Sequence, residues 1–124
     1  MILVVDDDPL VRATIVRALA ELGYQTGEAA DGEAALAALR AAERPLLVIL
    51  DYVMPGMDGA DVAREIAGFA PDLPVIFSTG HAALRTLRAA AGEDATVLEK
   101  PFTLDELDTL VRERLAEARW ARVP

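Results

Sequence analysis

The sequence predicts an α/β domain built on a doubly wound, five-stranded parallel sheet. Three observations carry that prediction. Five short apolar runs alternate strictly with five segments of helical period, which implies a parallel sheet covered by helices on both faces. Runs 2–5, 47–50 and 75–77 are apolar throughout, as in strands buried on both faces. Four of the five runs also stop abruptly at polar groups: Asp6-Asp7, Asp51, Ser78-Thr79 and Glu99-Lys100.

The elements follow in order. Residues 2–6 read as the first strand. Asp8 then Pro9 is a helix cap followed by proline at the first helical position. Leu10, Ile15, Ala18, Leu19 and Leu22 are expected to form the buried stripe of that helix, which Gly23 ends. Residues 24–28 form a short, more polar strand, suited to a sheet edge. Asp31-Gly32 opens a second helix reaching about Glu43, with Pro45 beyond it. Residues 46–50 are the third strand. Met54-Pro55-Gly56-Met57-Asp58-Gly59 is a turn, with Met54 and Met57 packing around it and Asp58 capping a third helix to about Phe69. Residues 75–79 are the fourth strand. An alanine-rich helix near 82–91, anchored mainly by Leu84 and Leu87, ends at Gly92. Residues 95–99 are the last strand. Thr103 and Glu106 form a capping box for the final helix, whose buried stripe is Leu107, Leu110, Val111 and Leu115. Residues 1–117 are expected to form one domain and 118–124 a detachable tail. Trp120, in that tail, fits a core contact, a partner contact or a linker equally well.

Composition narrows the function. A chain of 124 residues supports one core without staples. It has no cysteine, hence no disulfide framework or thiolate metal site. No charge-free apolar run approaches the roughly 18 residues that span a bilayer, and Asp6 interrupts any secretory signal, so a cytoplasmic protein without membrane contact is expected. A net charge of −9 argues against direct nucleic-acid binding.

The strand ends point to chemistry. In doubly wound sheets ligands bind beyond the carboxyl ends of the strands, where the winding reverses. For the order 2-1-3-4-5 that point lies between the first and third strands, which end in Asp6-Asp7 and Asp51. Neighbouring strands lie about 4.8 Å apart, so these carboxylates crowd. Two such charges about 4 Å apart repel by roughly 4 kcal/mol at an effective dielectric near 20. The cluster calls for a cation, and an all-oxygen site implies Mg²⁺ or a similar hard ion. Lys100 is the only lysine; the other cations are arginines. Its stem is long enough to reach from the last strand toward Asp51, and it offers a compact point charge where arginine offers a planar fork. A carboxylate can accept a phosphoryl group, and that transfer needs mainly positioning and charge neutralisation. Thr79 can bond a phosphoryl oxygen.

These residues resemble the receiver domain of bacterial two-component response regulators. The motifs that carry the resemblance are Val4-Val5-Asp6-Asp7, Asp51 through Met54-Pro55-Gly56-Met57-Asp58-Gly59, Thr79-Gly80 and Lys100-Pro101-Phe102, and the match runs over almost the whole chain, from the first strand to the last helix. The resemblance implies a flavodoxin-like (βα)5 fold. It implies phosphorylation of Asp51 by a sensor histidine kinase or a histidine phosphotransfer protein. It implies Mg²⁺ held by Asp6, Asp7, Asp51 and the Val53 carbonyl, with Thr79 and Lys100 serving the phosphoryl group. A cis peptide before Pro101 also belongs to the pattern, as does homodimerisation through the face made by the fourth helix, last strand and last helix. Such a module catalyses its own phosphorylation and dephosphorylation and is not a turnover enzyme. Two positions depart from the family pattern. Val97 stands where receivers commonly carry an aromatic, and Val53 offers no polar side chain to orient a water.

Other readings are weaker. Asp6-Asp7-Asp8 contains the Asp-x-Asp of haloacid-dehalogenase-like phosphatases. Leu10, however, replaces the expected small residue, and Asp51 is left without a role. An unphosphorylated interaction domain leaves the acid–Thr–Lys set unexplained, and a flavin carrier lacks a phosphate loop after the first strand. Asp8 reads as a helix cap only. His81 reads as a loop residue flanking the site.

Overall fold

The structure, a computed structural model, describes residues 1–41 and 44–121. The expectations placed on Glu43, on the Trp120 side chain and on residues 122–124 lie outside the described residues. Five strands, β1 (Ile2–Val5), β2 (Thr26–Ala29), β3 (Leu47–Asp51), β4 (Val75–Gly80) and β5 (Val97–Lys100), alternate with helices. These are α1 (Pro9–Glu21), α2 (Gly32–Ala41), α3 (Gly59–Phe69), α4 (Leu84–Ala91) and α5 (Leu104–Ala121). A single 3-10 turn over His81–Ala83 precedes α4. The sheet is parallel in the order β2-β1-β3-β4-β5, as expected.

The period-2 alternation of the strands divides the core in two. Ile2, Val4, Leu47, Ile49, Ile76 and Leu98 pack against Ile15 and Leu19 of α1 and Leu107 and Val111 of α5. Leu3, Val5, Val48, Leu50 and Phe77 pack against Leu36, Val62, Ile66 and Leu87 of the other three helices. Because strands β1 and β3 are covered on both sides, they carry no polar residue until they emerge at their carboxyl ends.

Local signals set the helix ends. The Asp8 carboxylate accepts from the amides of Leu10 (2.9 Å) and Val11 (3.4 Å), closing the start of α1. Asp58 and Asp61 form a reciprocal capping box on α3. Thr103 and Glu106 do the same at α5, with the Glu106 amide donating to Thr103 Oγ1 at 3.1 Å. Gly56, in the turn before α3, takes the left-handed φ of +77° that a side chain disfavours. The peptide before Pro101 is cis, as the family pattern implies.

Three expectations are corrected. Leu10 is 79% exposed and not part of the α1 stripe. It lies five residues from Ile15, about 140° around a helix, so the inward stripe begins at Val11 instead. The second strand lies at 26–29 rather than 24–28, because backbone pairing with β1 and not side-chain character sets its limits. In the last strand, the ladder with β4 begins only at Val97 and runs to Lys100. Helix α5 also runs on to Ala121. The alanine, glutamate and arginine residues after 115 are all good helix formers.

Candidate functional site

Three loops meet at the carboxyl edge of the sheet. Asp6 continues the alternation of β1 onto the face of Val4, toward α1 and α5, and is buried; Asp7 turns out to solvent. Asp51 ends β3 on the same face as Ile49 and is 5% exposed. One oxygen from each of Asp6, Asp7 and Asp51 can lie within 4.8 Å of the others. Lys100, three strand positions away from Asp6, crosses to both acids. Its Nζ donates to Asp6 Oδ2 and to Asp51 Oδ1, each at 3.2 Å. The expected convergence of Asp6, Asp7, Asp51 and Lys100 is therefore present.

Second contacts hold these groups in place. The backbone amide of Asp8 donates to Asp6 Oδ1 at 2.9 Å. Arg12, from α1, donates to the carbonyl of Asp6 at 2.7 Å and pairs with Glu28 at 3.0 Å. Behind Asp51, the amide of Gly59 donates to the Tyr52 carbonyl at 2.8 Å. A Cβ on Gly59 would fall 2.6 Å from the Asp51 carbonyl oxygen, so only glycine lets α3 start this close to the end of β3.

The electrostatics follow from burial. Desolvation, helped by the neighbouring Asp6 and Asp7, lifts the Asp51 carboxyl from 3.8 to about 6 against the opposing pull of Lys100. Burial works against the Lys100 ammonium, but Asp51 and Asp6 outweigh it and move its pKa upward. Three acidic side chains thus face one ammonium, an excess of acid over cation. A divalent, oxygen-preferring cation fits that excess and that donor set. Mg²⁺ or Mn²⁺ suits it better than a metal that prefers nitrogen or sulfur. Val53 lies on the loop just past β3 with its side chain 60% exposed, leaving only its backbone to offer an oxygen.

Thr79 lies on the opposite side of β4 from Asp51. Alternation groups it with Phe77, beside Val97, on the α3–α4 face. It is buried, and its Oγ1 has no hydrogen-bond partner among the described residues. Ser78, in register with Asp51, is also buried, with a hydroxyl that has no partner among the described residues. Sequence reasoning passed over Ser78, although a hydroxyl following Val75-Ile76-Phe77 was a visible signal. It also missed Arg12, whose tie to Asp6 is purely tertiary. His81 stays outside the cluster, as expected; its exposed ring meets Glu99 of β5 at 2.8 Å. Met54 is buried and Met57 partly so, packed as expected around the turn.

Comparison with known proteins agrees with this geometry. Residues 2–112 match the family model described as the response regulator receiver domain. Over 120 residues the chain is 39% identical to the response regulator MprA of Mycobacterium tuberculosis, covering 95% of this chain and 51% of that protein. Its counterpart from Mycolicibacterium vanbaalenii is 43% identical over 108 residues, 86% of this chain and 46% of that one. The chain thus spans about half the length of these relatives. Among solved structures, the NtrX receiver domain of Brucella abortus superposes with a TM-score of 0.86 at 35% identity, covering 94% of this chain and 98% of that one. A receiver domain protein of Clostridium thermocellum gives 0.88 at 29%, covering 97% of each. The phosphatase alternative gains no support from these matches, and Asp8, the second acid it requires, is committed to capping α1.

Proposed function

The chain belongs to the response regulator receiver domain family, and from that membership we propose that Asp51 accepts a phosphoryl group from a sensor histidine kinase or a histidine phosphotransfer protein. The observation that carries the proposal is the Lys100 ammonium, 3.2 Å from both Asp51 Oδ1 and Asp6 Oδ2. A buried carboxylate beside a fixed positive charge, with further acids at the rim, is arranged to receive a charged group. With a pKa of about 6, Asp51 is ionised at neutral pH and nucleophilic. Its carboxylate oxygen attacks phosphorus, the bond from phosphorus to the donor nitrogen breaks, and that electron pair stays on the donor imidazole.

Asp6, Asp7, Asp51 and the Val53 carbonyl would hold Mg²⁺, which when bound supplies charge neutralisation for the phosphoryl oxygens. Lys100 moves with the transferred charge from Asp51 to a phosphoryl oxygen. Thr79, whose hydroxyl has no competing partner among the described residues, turns to a second oxygen and draws the loop at Gly80-His81 with it. Position 97 carries valine and not an aromatic rotor, so the response travels through α4, where only Leu87 is fully buried. The α4-β5-α5 face then engages a partner. It exposes Arg85, Glu99 and Asp105, charges of both signs that suit a self-complementary homodimer.

The protein catalyses only its own phosphorylation and dephosphorylation. Residues 1–117 act as the receiver, and its last helix, α5, runs past that boundary to Ala121. The site of action is the cytoplasm; among the described residues no helix is long and apolar enough to cross a membrane. This domain makes no direct contact with nucleic acid. Incubation with acetyl phosphate and Mg²⁺ tests the reading. One acid-stable, base-labile phosphoryl group is expected, and labelling that persists in Asp51→Ala would sink the assignment.

A further inference from the structure

Ser78 has no part in the reading above. It pairs in register with Asp51 across β3 and β4 and lies on the face of Ile76 and Asp51. Its exposure is 0%, and its hydroxyl has no hydrogen-bond partner among the described residues. An unbonded buried hydroxyl is a standing cost that alanine, one oxygen smaller, would remove. The oxygen makes physical sense in a state where it is bonded.

Phosphorylation of Asp51 creates such a state. In the resting site Asp51 Oδ1 accepts from Lys100. A phosphoryl group on Oδ2 makes Oδ1 an acyl carbonyl oxygen and draws the ammonium toward the more highly charged phosphoryl oxygens. Oδ1 then loses its Lys100 donor and keeps only the Mg²⁺ that Asp51 would help to hold. Ser78 stands on the adjacent strand, about 4.8 Å away, on the same face, with a hydroxyl free to rotate.

We propose that the Ser78 hydroxyl donates to the acyl carbonyl oxygen of phosphorylated Asp51 and thereby sets the lifetime of the phosphoryl group. The inference rests on Asp51 being the acceptor. In hydrolysis, water attacks phosphorus and the bond from phosphorus to Asp51 breaks. The electron pair returns to the carboxylate and inorganic phosphate leaves. Negative charge grows on Oδ1 as the carboxylate re-forms, so a donor there stabilises the transition state more than the acyl phosphate. Ser78 therefore shortens the lifetime.

The test uses Ser78→Ala and Ser78→Cys. Cysteine fills the serine's volume and slightly more but donates only weakly. Each protein is phosphorylated with acetyl phosphate and Mg²⁺, freed of donor and followed for decay. The acyl carbonyl stretch is read by infrared spectroscopy after carboxyl-¹³C aspartate labelling. Both variants are expected to hold the phosphoryl group about threefold to tenfold longer and to raise the stretching frequency, as loss of a hydrogen bond requires. A parent-like half-life and frequency in Ser78→Ala would overturn the inference while leaving Asp51 as acceptor. A parent-like Ser78→Cys beside an altered Ser78→Ala would overturn it too, by showing that volume and not the hydroxyl matters. A parent protein that takes up no phosphoryl group would instead remove the reading of Asp51, and this inference with it.

Discussion

Neutralising Asp51 should stabilise the resting fold, and only above the pH at which the parent carboxyl ionises. The carboxyl moves from 3.8 to about 6 because it is buried and crowded by Asp6 and Asp7 more strongly than Lys100 compensates. At about 1.4 kcal/mol per pH unit, the ionised form opposes folding by about 3 kcal/mol. The folded state holds the proton more tightly than the unfolded one. Stability therefore falls as pH rises from 3.8 to about 6 and stays reduced above that. Asp51→Asn removes the charge but keeps a carbonyl oxygen for Lys100. That bond loses its charge assistance, so the net gain is about 1–3 kcal/mol above pH 7. For a domain of this size that corresponds to roughly 4–12 °C in Tm. The assay is urea and thermal unfolding of both proteins in EDTA at acidic and neutral pH. The gain should be full above neutrality and shrink toward zero near pH 4. An Asp51→Asn protein no more stable than the parent above pH 7, or a gain equal at both ends, would refute the reasoning.

Other perturbations separate the roles around Asp51. Asp7→Ala should lose Mg²⁺ binding by calorimetry and phosphorylation together, while stability stays within about 0.5 kcal/mol because Asp7 is exposed; EDTA-treated parent that phosphorylates normally would contradict the metal's role. Lys100→Arg should retain part of the phosphorylation but lose the beryllofluoride-induced amide shifts over residues 80–99, since the broad guanidinium cannot place one charge as the ammonium does. Gly59→Ala, with its Cβ 2.6 Å from the Asp51 carbonyl oxygen and 2.8 Å from Tyr52 Cα, should cost about 1–3 kcal/mol by urea unfolding and slow phosphorylation by displacing the end of β3.

Much of this was legible in the chain because the signals are local. Runs 2–5 and 47–50 are apolar at every residue, so their burial and the emergence of Asp6 and Asp51 follow from pattern alone. Asp8-Pro9 and Thr103-x-x-Glu106 are caps whose hydrogen bonds close within four residues. The errors arise where another element decides. Leu10 looks like a stripe residue until the sheet fixes which side of α1 faces inward. The limits of β2 and β5 depend on which backbone groups β1 and β4 can reach. Within the site, Asp6, Asp7, Asp51 and Lys100 were found by type and strand position. Arg12 on the Asp6 carbonyl and the ring of His81 on Glu99 bring together residues from different elements, and no local pattern announces those contacts; the Ser78 hydroxyl was visible at its strand end, but its pairing with Asp51 is tertiary.

The central claim is that Asp51, not a neighbouring acid, carries the phosphoryl group. Borohydride reduces an aspartyl phosphate to homoserine, so tandem mass spectrometry after acetyl phosphate treatment reads the modified position directly. Homoserine is expected at residue 51 alone, dependent on Mg²⁺ and absent in EDTA. Homoserine at residue 6, the acid that a haloacid-dehalogenase-like phosphatase would use as its nucleophile, or none at residue 51 with Mg²⁺ present, would contradict it.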